Sequence, residues 1–206
     1  MSILKLVILR KLRYIIIIIV LIISFLTNCK INSSDYSVYL TFYKTIGGDF
    51  SLTDQYNKIF NLKDHRNKVI LLFFGYTTCP DVCPTTLAKI NNVYTELGSK
   101  SKEVLTVFVS VDPERDTPSK LKDYITHFDI NALALTGKSD DILKVSKQYK
   151  IFYQKNLSKS AVGYLIDHST YTYLIDQQGK VRHIFKHDTK VDFMVGLIKY
   201  LLNKKS

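Results

Sequence analysis

The chain has 206 residues, 46% of them hydrophobic and 23% charged, with a formal net charge of +11 and a pI near 9.4. A core of roughly 170 residues buries about 70% of its unfolded surface, so one domain plus an appendage folds without staples. Three cysteines exclude a disulfide scaffold, and no basic cluster interleaved with aromatics supports nucleic-acid binding. Much of the positive excess sits at the ends, at Lys5, Arg10, Lys11, Arg13, Lys204 and Lys205, and the remainder reads as a solvated surface.

From Tyr14 to Thr27 runs an uncharged, isoleucine-rich stretch preceded by four basic residues. As a helix it rises about 21 Å, short of the roughly 30 Å hydrocarbon core, but Asn28 and Cys29 extend it and the flanking cations can snorkel. No Ala-x-Ala cleavage pattern follows, so residues 1–29 are expected to be an uncleaved membrane anchor. Cys29 after Leu26-Thr27-Asn28 resembles a lipoprotein box with an atypical asparagine. The positive-inside rule keeps the basic end in the cytoplasm. The globular part is then expected on the periplasmic side of the cell inner membrane, where a close cysteine pair can oxidise.

Residues 30–45 are expected to form a tether and an edge strand, with Tyr39 to Thr45 turning at Gly47-Gly48 into Phe50–Thr53 as a hairpin. Residues 46–206 form the predicted main domain. Val69 to Phe74 is a continuous apolar run, the mark of a strand covered on both faces. Pro84 disfavours helical geometry at Cys83 and suits a first helical position, so a helix is predicted from Pro84 to near Gly98. Val104 to Val111 is the second buried strand. Thr117 caps a helix with Pro118 at its first position, running to about Phe128.

A third strand is predicted at Ala132–Thr136, a helix at about Ser139–Tyr149 and a short strand at Ile151–Gln154. A polar stretch, Lys155 to Gly163, leads to His168. Thr170–Asp176 and Val181–Lys186 read as a hairpin closed by Gln177-Gln178-Gly179, and an amphipathic helix from about Lys190 to Leu202 ends the domain. This order predicts an α/β fold: a thioredoxin-like mixed sheet flanked by helices, behind the N-terminal membrane anchor.

Cys79 and Cys83 are the chemical centre, in the run Thr78-Cys79-Pro80-Asp81-Val82-Cys83-Pro84. A helix starting at Pro84 places both just ahead of its N-terminus, where partial positive charge favours thiolate, the form that binds metal and attacks disulfides. A general thiol oxidoreductase of this fold uses Cys-x-x-Cys; three intervening residues leave room for an ion. Thioredoxins place a cis-proline ahead of the third core strand. No proline follows Pro118 here, and Asp167-His168-Ser169 occupies that place. Peroxiredoxins want Pro-x-x-x-Thr-x-x-Cys, which neither cysteine satisfies. Two thiolates and an imidazole suit Cu(I), or Cu(II) with an added oxygen donor. Structural zinc wants a fourth protein ligand, and none stands out. His65, His127, His183 and His187 read as surface or loop residues.

These residues carry a resemblance. GGDF from Gly47 to Phe50, FGYTTCPDVCPTTL from Phe74 to Leu87, VSVDPERDTP from Val109 to Pro118, LTG from Leu135 to Gly137 and YLIDHS from Tyr164 to Ser169 are similar to the SCO/SenC family of copper proteins. That family assists assembly of cytochrome c oxidase. Thr78 departs from the pattern, which usually has histidine before the first cysteine. The resemblance implies copper held by Cys79, Cys83 and His168. It also implies partners: an upstream copper donor and the oxidase subunit that receives a binuclear copper site. The role is donation of metal or reduction of that subunit's cysteines. No further catalytic residue is assigned, and the Asp112–Asp116 loop reads as structural support or partner contact. The competing reading is a thiol-disulfide oxidoreductase working through a Cys79/Cys83 disulfide without physiological metal.

Overall fold

The chain divides into two compact units, Met1–Tyr36 and Ser37–Ser206. The structure, a computed structural model, describes residues 36–157 and 163–204. The expected anchor at 1–29, Cys29, most of the tether and the middle of the polar stretch (158–162) lie outside the described residues. Among the described residues no helix is long and apolar enough to cross a membrane.

Nine strands and four helices build the domain: β1 (Ser51–Asp54), β2 (Ile59–Asn61), β3 (Val69–Gly75), α1 (Val82–Leu97), β4 (Val104–Ser110), α2 (Pro118–Ile125), β5 (Ala132–Thr136), α3 (Ser139–Gln148), β6 (Tyr153–Leu157), β7 (Tyr164–His168), β8 (Thr172–Ile175), β9 (Val181–Phe185) and α4 (Val191–Asn203). Seven strands form one mixed sheet in the order β2-β1-β5-β4-β3-β8-β9, with β6 and β7 pairing as a separate ribbon. β3, β4 and β5 run parallel, while β8 lies antiparallel to β3 and β9 antiparallel to β8. The order β9-β8-β3-β4 with its crossover helix is the thioredoxin-type core expected from the strand and helix alternation.

The sheet centre follows from composition. Every residue of β3 and β4 is buried, as continuous Val/Leu/Phe runs require when helices cover both faces. α1 turns Leu87, Ile90, Val93, Tyr94 and Leu97 inward and packs on α4, which contributes Met194, Leu197, Ile198 and Leu201. The Thr117 hydroxyl accepts the Lys120 amide at 3.3 Å, the cap that Thr117-Pro118 announced. Past Ile125 the chain tightens into three-residue spacing, with the His127 amide on Tyr124 O and the Phe128 amide on Ile125 O, which explains the shorter helix.

Three expectations are corrected. Tyr39–Thr45 is no strand: Val38, Tyr39 and Phe42 are exposed, so no buried face holds them in a pleat. Two bonds, Thr41 N to Arg182 O and His183 Nδ1 to Tyr39 O, both 2.8 Å long, touch β9, and β1 makes its hairpin with β2 instead. The Asp54 carboxylate closes that turn by accepting the amides of Tyr56 and Lys58, both at 2.8 Å. α1 begins at Val82, so Cys83 sits inside its first turn rather than ahead of it. Pro84 is tolerated there because first-turn amides have no intrahelical acceptor to lose. Finally, the strand predicted at Ile151–Gln154 lies at Tyr153–Leu157 and pairs with β7, a segment for which the local pattern predicts no element.

Candidate metal centre

β3 delivers the chain to the site. After Gly75 the buried Tyr76 turns the backbone, and the Cys79 amide donates to Tyr76 O at 3.3 Å. The loop is fastened by Asp116, which is fully buried and accepts from the Thr77 amide at 2.9 Å, the Thr77 hydroxyl at 2.6 Å and the Ser110 hydroxyl at 2.7 Å. A carboxylate charge buried this deeply needs such donors. Lys120 adds its ammonium 3.5 Å from Asp116 and donates to the Thr78 hydroxyl at 3.2 Å. Thr78 thus bonds to α2.

Cys79 is half-buried and Cys83 fully buried, both as free thiols. Cys83 gains its room from Gly75: a Cβ there would lie 2.7 Å from the Cys83 Sγ. The two thiols share protons unequally. The Cys79 thiol is pulled down to about 3, chiefly by the hydrogen bond from Cys83, with further help from His168 and backbone amides against the opposing effect of burial. The Cys83 thiol is pushed up, first by donating to Cys79 and then by burial. The two opposed shifts favour the charge on the outer sulfur.

β7 brings the third group. The His168 Nε2 lies 3.4 Å from the Cys83 Sγ, and ligand atoms of Cys79, Cys83 and His168 all fall within 4.8 Å of one another. The His168 Nδ1 lies 3.0 Å from the Ser169 carbonyl. A carbonyl only accepts, so Nδ1 donates to it, which leaves Nε2 as the nitrogen facing the sulfurs. Phe73 and Tyr76 hold the ring edge-on, with centroids 6.2 and 5.8 Å away. Cys79 and His168 open onto a groove of about 230 Å³ lined also by Pro80, Asp167 and Thr170, with Cys83 buried behind them.

Two soft sulfur donors and one borderline nitrogen within a few ångströms fit a copper ion, and fit hard cations poorly. Among the described residues this is the only group of three or more such side chains. The other histidines stay apart, as expected. His65 stacks on Phe60, His127 is exposed, His183 bonds to Tyr39 O, and His187 lies 3.2 Å from the Thr86 hydroxyl.

Sequence reasoning missed the supports. Tyr76 accepts the Ile166 amide at 3.1 Å, and Arg115 stacks 3.6 Å over the Tyr164 ring. The signal was the acidic-basic run Asp112-Pro113-Glu114-Arg115-Asp116, which looked structural and had no visible target in one dimension.

A thioredoxin-like domain with two thiols and an imidazole converging at its first helix defines the class: a soft-metal or dithiol protein. Residues 40–203 match the SCO1/SenC family, and the chain belongs to it. It is 41% identical over 155 residues to an SCO2-like protein of Rickettsia prowazekii, covering 75% of this chain and 76% of that one. The copper-bound ScoI of Bradyrhizobium japonicum superposes with a TM-score of 0.71 at 39% identity, over 76% of this chain and 99% of that one. Copper-bound yeast Sco1 gives 0.71 at 30% identity, over 79% and 91%.

Proposed function

We propose that this chain is a copper chaperone that holds its cargo ion between Cys79, Cys83 and His168. It receives copper from an upstream donor and passes it toward the binuclear copper site of cytochrome c oxidase. The observation that carries the reading is the approach of three ligand atoms to within 4.8 Å of one another, from residues as far apart in the chain as Cys79 and His168. Membership of a family with copper-bound relatives at 39% and 30% identity supports copper over other soft metals. Residues 1–29 anchor the protein in the inner membrane and leave the domain on the periplasmic side. The basic flank and apolar run of the N-terminus support that placement.

The test uses the full-length chain, reduced and in detergent, exposed to Cu(I) and to Cu(II). One equivalent retained, with an intense thiolate-to-Cu(II) absorption that Cys83→Ser abolishes, is the expected result. Metal-free protein in both cases would refute the chaperone reading.

One observation favours a second reading, a thiol-disulfide oxidoreductase acting without metal: the outer thiol, Cys79, is held as thiolate down to about 3. That reading expects turnover on disulfide substrates that survives His168→Ala.

A further inference from the structure

His168 does not sit on the main sheet. It ends β7, and the β6–β7 ribbon pairs only with itself among the described residues. At its base the Ser169 amide donates to Phe152 O at 2.9 Å and the Phe152 amide to the Ser169 hydroxyl at 3.1 Å. The imidazole therefore rides on an arm, and something must fix the angle of that arm.

The fixing comes from the loop after β4. Tyr164, four residues before His168, donates its hydroxyl to Asp112 Oδ1 at 2.7 Å. Arg115 donates Nε to Asp112 Oδ2 at 2.5 Å and Nη1 to the Tyr164 carbonyl at 3.0 Å, while its guanidinium lies on the Tyr164 ring. Asp112 is fully buried, so its carboxylate depends on these donors, and charge-assisted bonds of this kind are strong. Outside them, Lys155 and Glu114 pair at 2.6 Å across the same junction. The loop itself is a tight turn, with the Arg115 and Asp116 amides both donating to Asp112 O. Asp116, at its far end, is the residue that holds the cysteine loop.

One five-residue turn thus grips both halves of the site. We infer that Asp112, Arg115 and Tyr164 form a clamp that positions the His168 arm against the two sulfurs and so sets how long the cargo ion is retained. This rests on the copper reading above. Arg115 and Tyr164 act as positioning residues: neither belongs to the ligand trio, and their effect passes through His168. With the clamp open, the Tyr76 bond to the Ile166 amide is left to hold β7 between its ends, and the imidazole gains freedom to leave while both sulfurs stay.

The test has a metal-free arm and a loaded arm, both on the full-length chain. Without metal, amide hydrogen exchange at Ile166 is compared in the parent, Arg115→Met and Tyr164→Phe; the clamp predicts exchange faster by on the order of tenfold in Arg115→Met. In the loaded arm, transfer of Cu(I) to a chromophoric chelator is timed in the same proteins and again in a His168→Ala background. Release is expected to quicken by on the order of tenfold in Arg115→Met, and not to quicken further once His168 is gone. A merely structural effect would speed release equally in both backgrounds, and that outcome overturns the clamp. Unchanged exchange, or faster exchange with unchanged release, overturns it too. If Arg115→Met fails to fold, Tyr164→Phe, which keeps the ring and loses only the hydroxyl, decides the matter by the same criteria. A parent chain that takes up no copper would sink the proposed function instead, and the Ile166 exchange then decides the clamp as an apoprotein device.

Discussion

Gly75 and Cys83 are packed so closely that an added Cβ at position 75 would meet the Cys83 Sγ at 2.7 Å and the Phe108 ring at 2.9 Å. Strand β3 and helix α1 are packed against each other through that one missing carbon. Gly75→Ala should therefore push α1 outward and carry the Cys83 sulfur with it. The expected cost is about 1–3 kcal/mol of stability, the usual range for overpacking, with a loss of copper affinity. Urea unfolding and a competitive copper titration would measure the two, and a variant with native stability and affinity would show that the contact is soft.

His168→Ala removes the proposed nitrogen ligand from a half-exposed ribbon end and gives up only edge-on contacts with Phe73 and Tyr76. Copper affinity is expected to fall by on the order of tenfold or more while thermal stability shifts little, as for loss of a ligand outside the core. Nitrogen hyperfine coupling in the Cu(II) spectrum should vanish. Retained coupling and unchanged affinity would place the nitrogen ligand elsewhere.

Thiol reactivity should separate the two cysteines. Because its pKa is lowered to about 3, Cys79 stays a thiolate as pH falls, until the solution approaches that value. Its alkylation rate is expected to be nearly flat between about pH 5 and 8, where an ordinary thiol slows about tenfold per unit. Cys83 is buried and its thiol is pushed up, so it should resist alkylation throughout. In Cys83→Ala the donor that does most to hold the anion is gone, and the Cys79 profile should move to higher pH. Mass-mapped iodoacetamide rates over that range test both statements; an unmoved profile would mean the pair does not share a proton.

Asp116→Ala would strip three donors, on Thr77 and Ser110, of a fully buried acceptor. A loss of about 2–4 kcal/mol is expected, since orphaned buried donors bear their full desolvation cost. The cysteine loop should loosen as well, seen as faster exchange at the Thr77 amide. A shift below about 0.5 kcal/mol, the scale of a surface change, would show that water replaces the carboxylate.

Much of the architecture was written in local pattern. The buried runs at 69–75 and 104–110, the Thr117-Pro118 cap and the turn at 177–179 appear where the residues predicted them, because burial on both faces, capping and turn chemistry are short-range. The failures share a cause. Tyr39–Thr45 has strand composition but no partner face, and β7 carries no strand prediction of its own yet pairs with β6. Strand propensity measures fit to a neighbouring surface, which a single segment does not carry. α1 starts two residues ahead of Pro84, which puts Cys83 in its first turn against Gly75, a tertiary contact that the local preference set by Pro84 does not foretell.

The sequence by itself determined the donor types, the spacing of the two cysteines, the family pattern and the α/β class, since each is a property of residues near one another in the chain. Only the tertiary structure decided that His168 reaches the sulfurs, that Cys79 rather than Cys83 holds the charge, and that the loop at 112–116 grips both halves of the site. The reason is physical. Distances between strands, the burial of a thiol and the sharing of a proton depend on which surfaces meet, and surfaces meet only when the whole core closes.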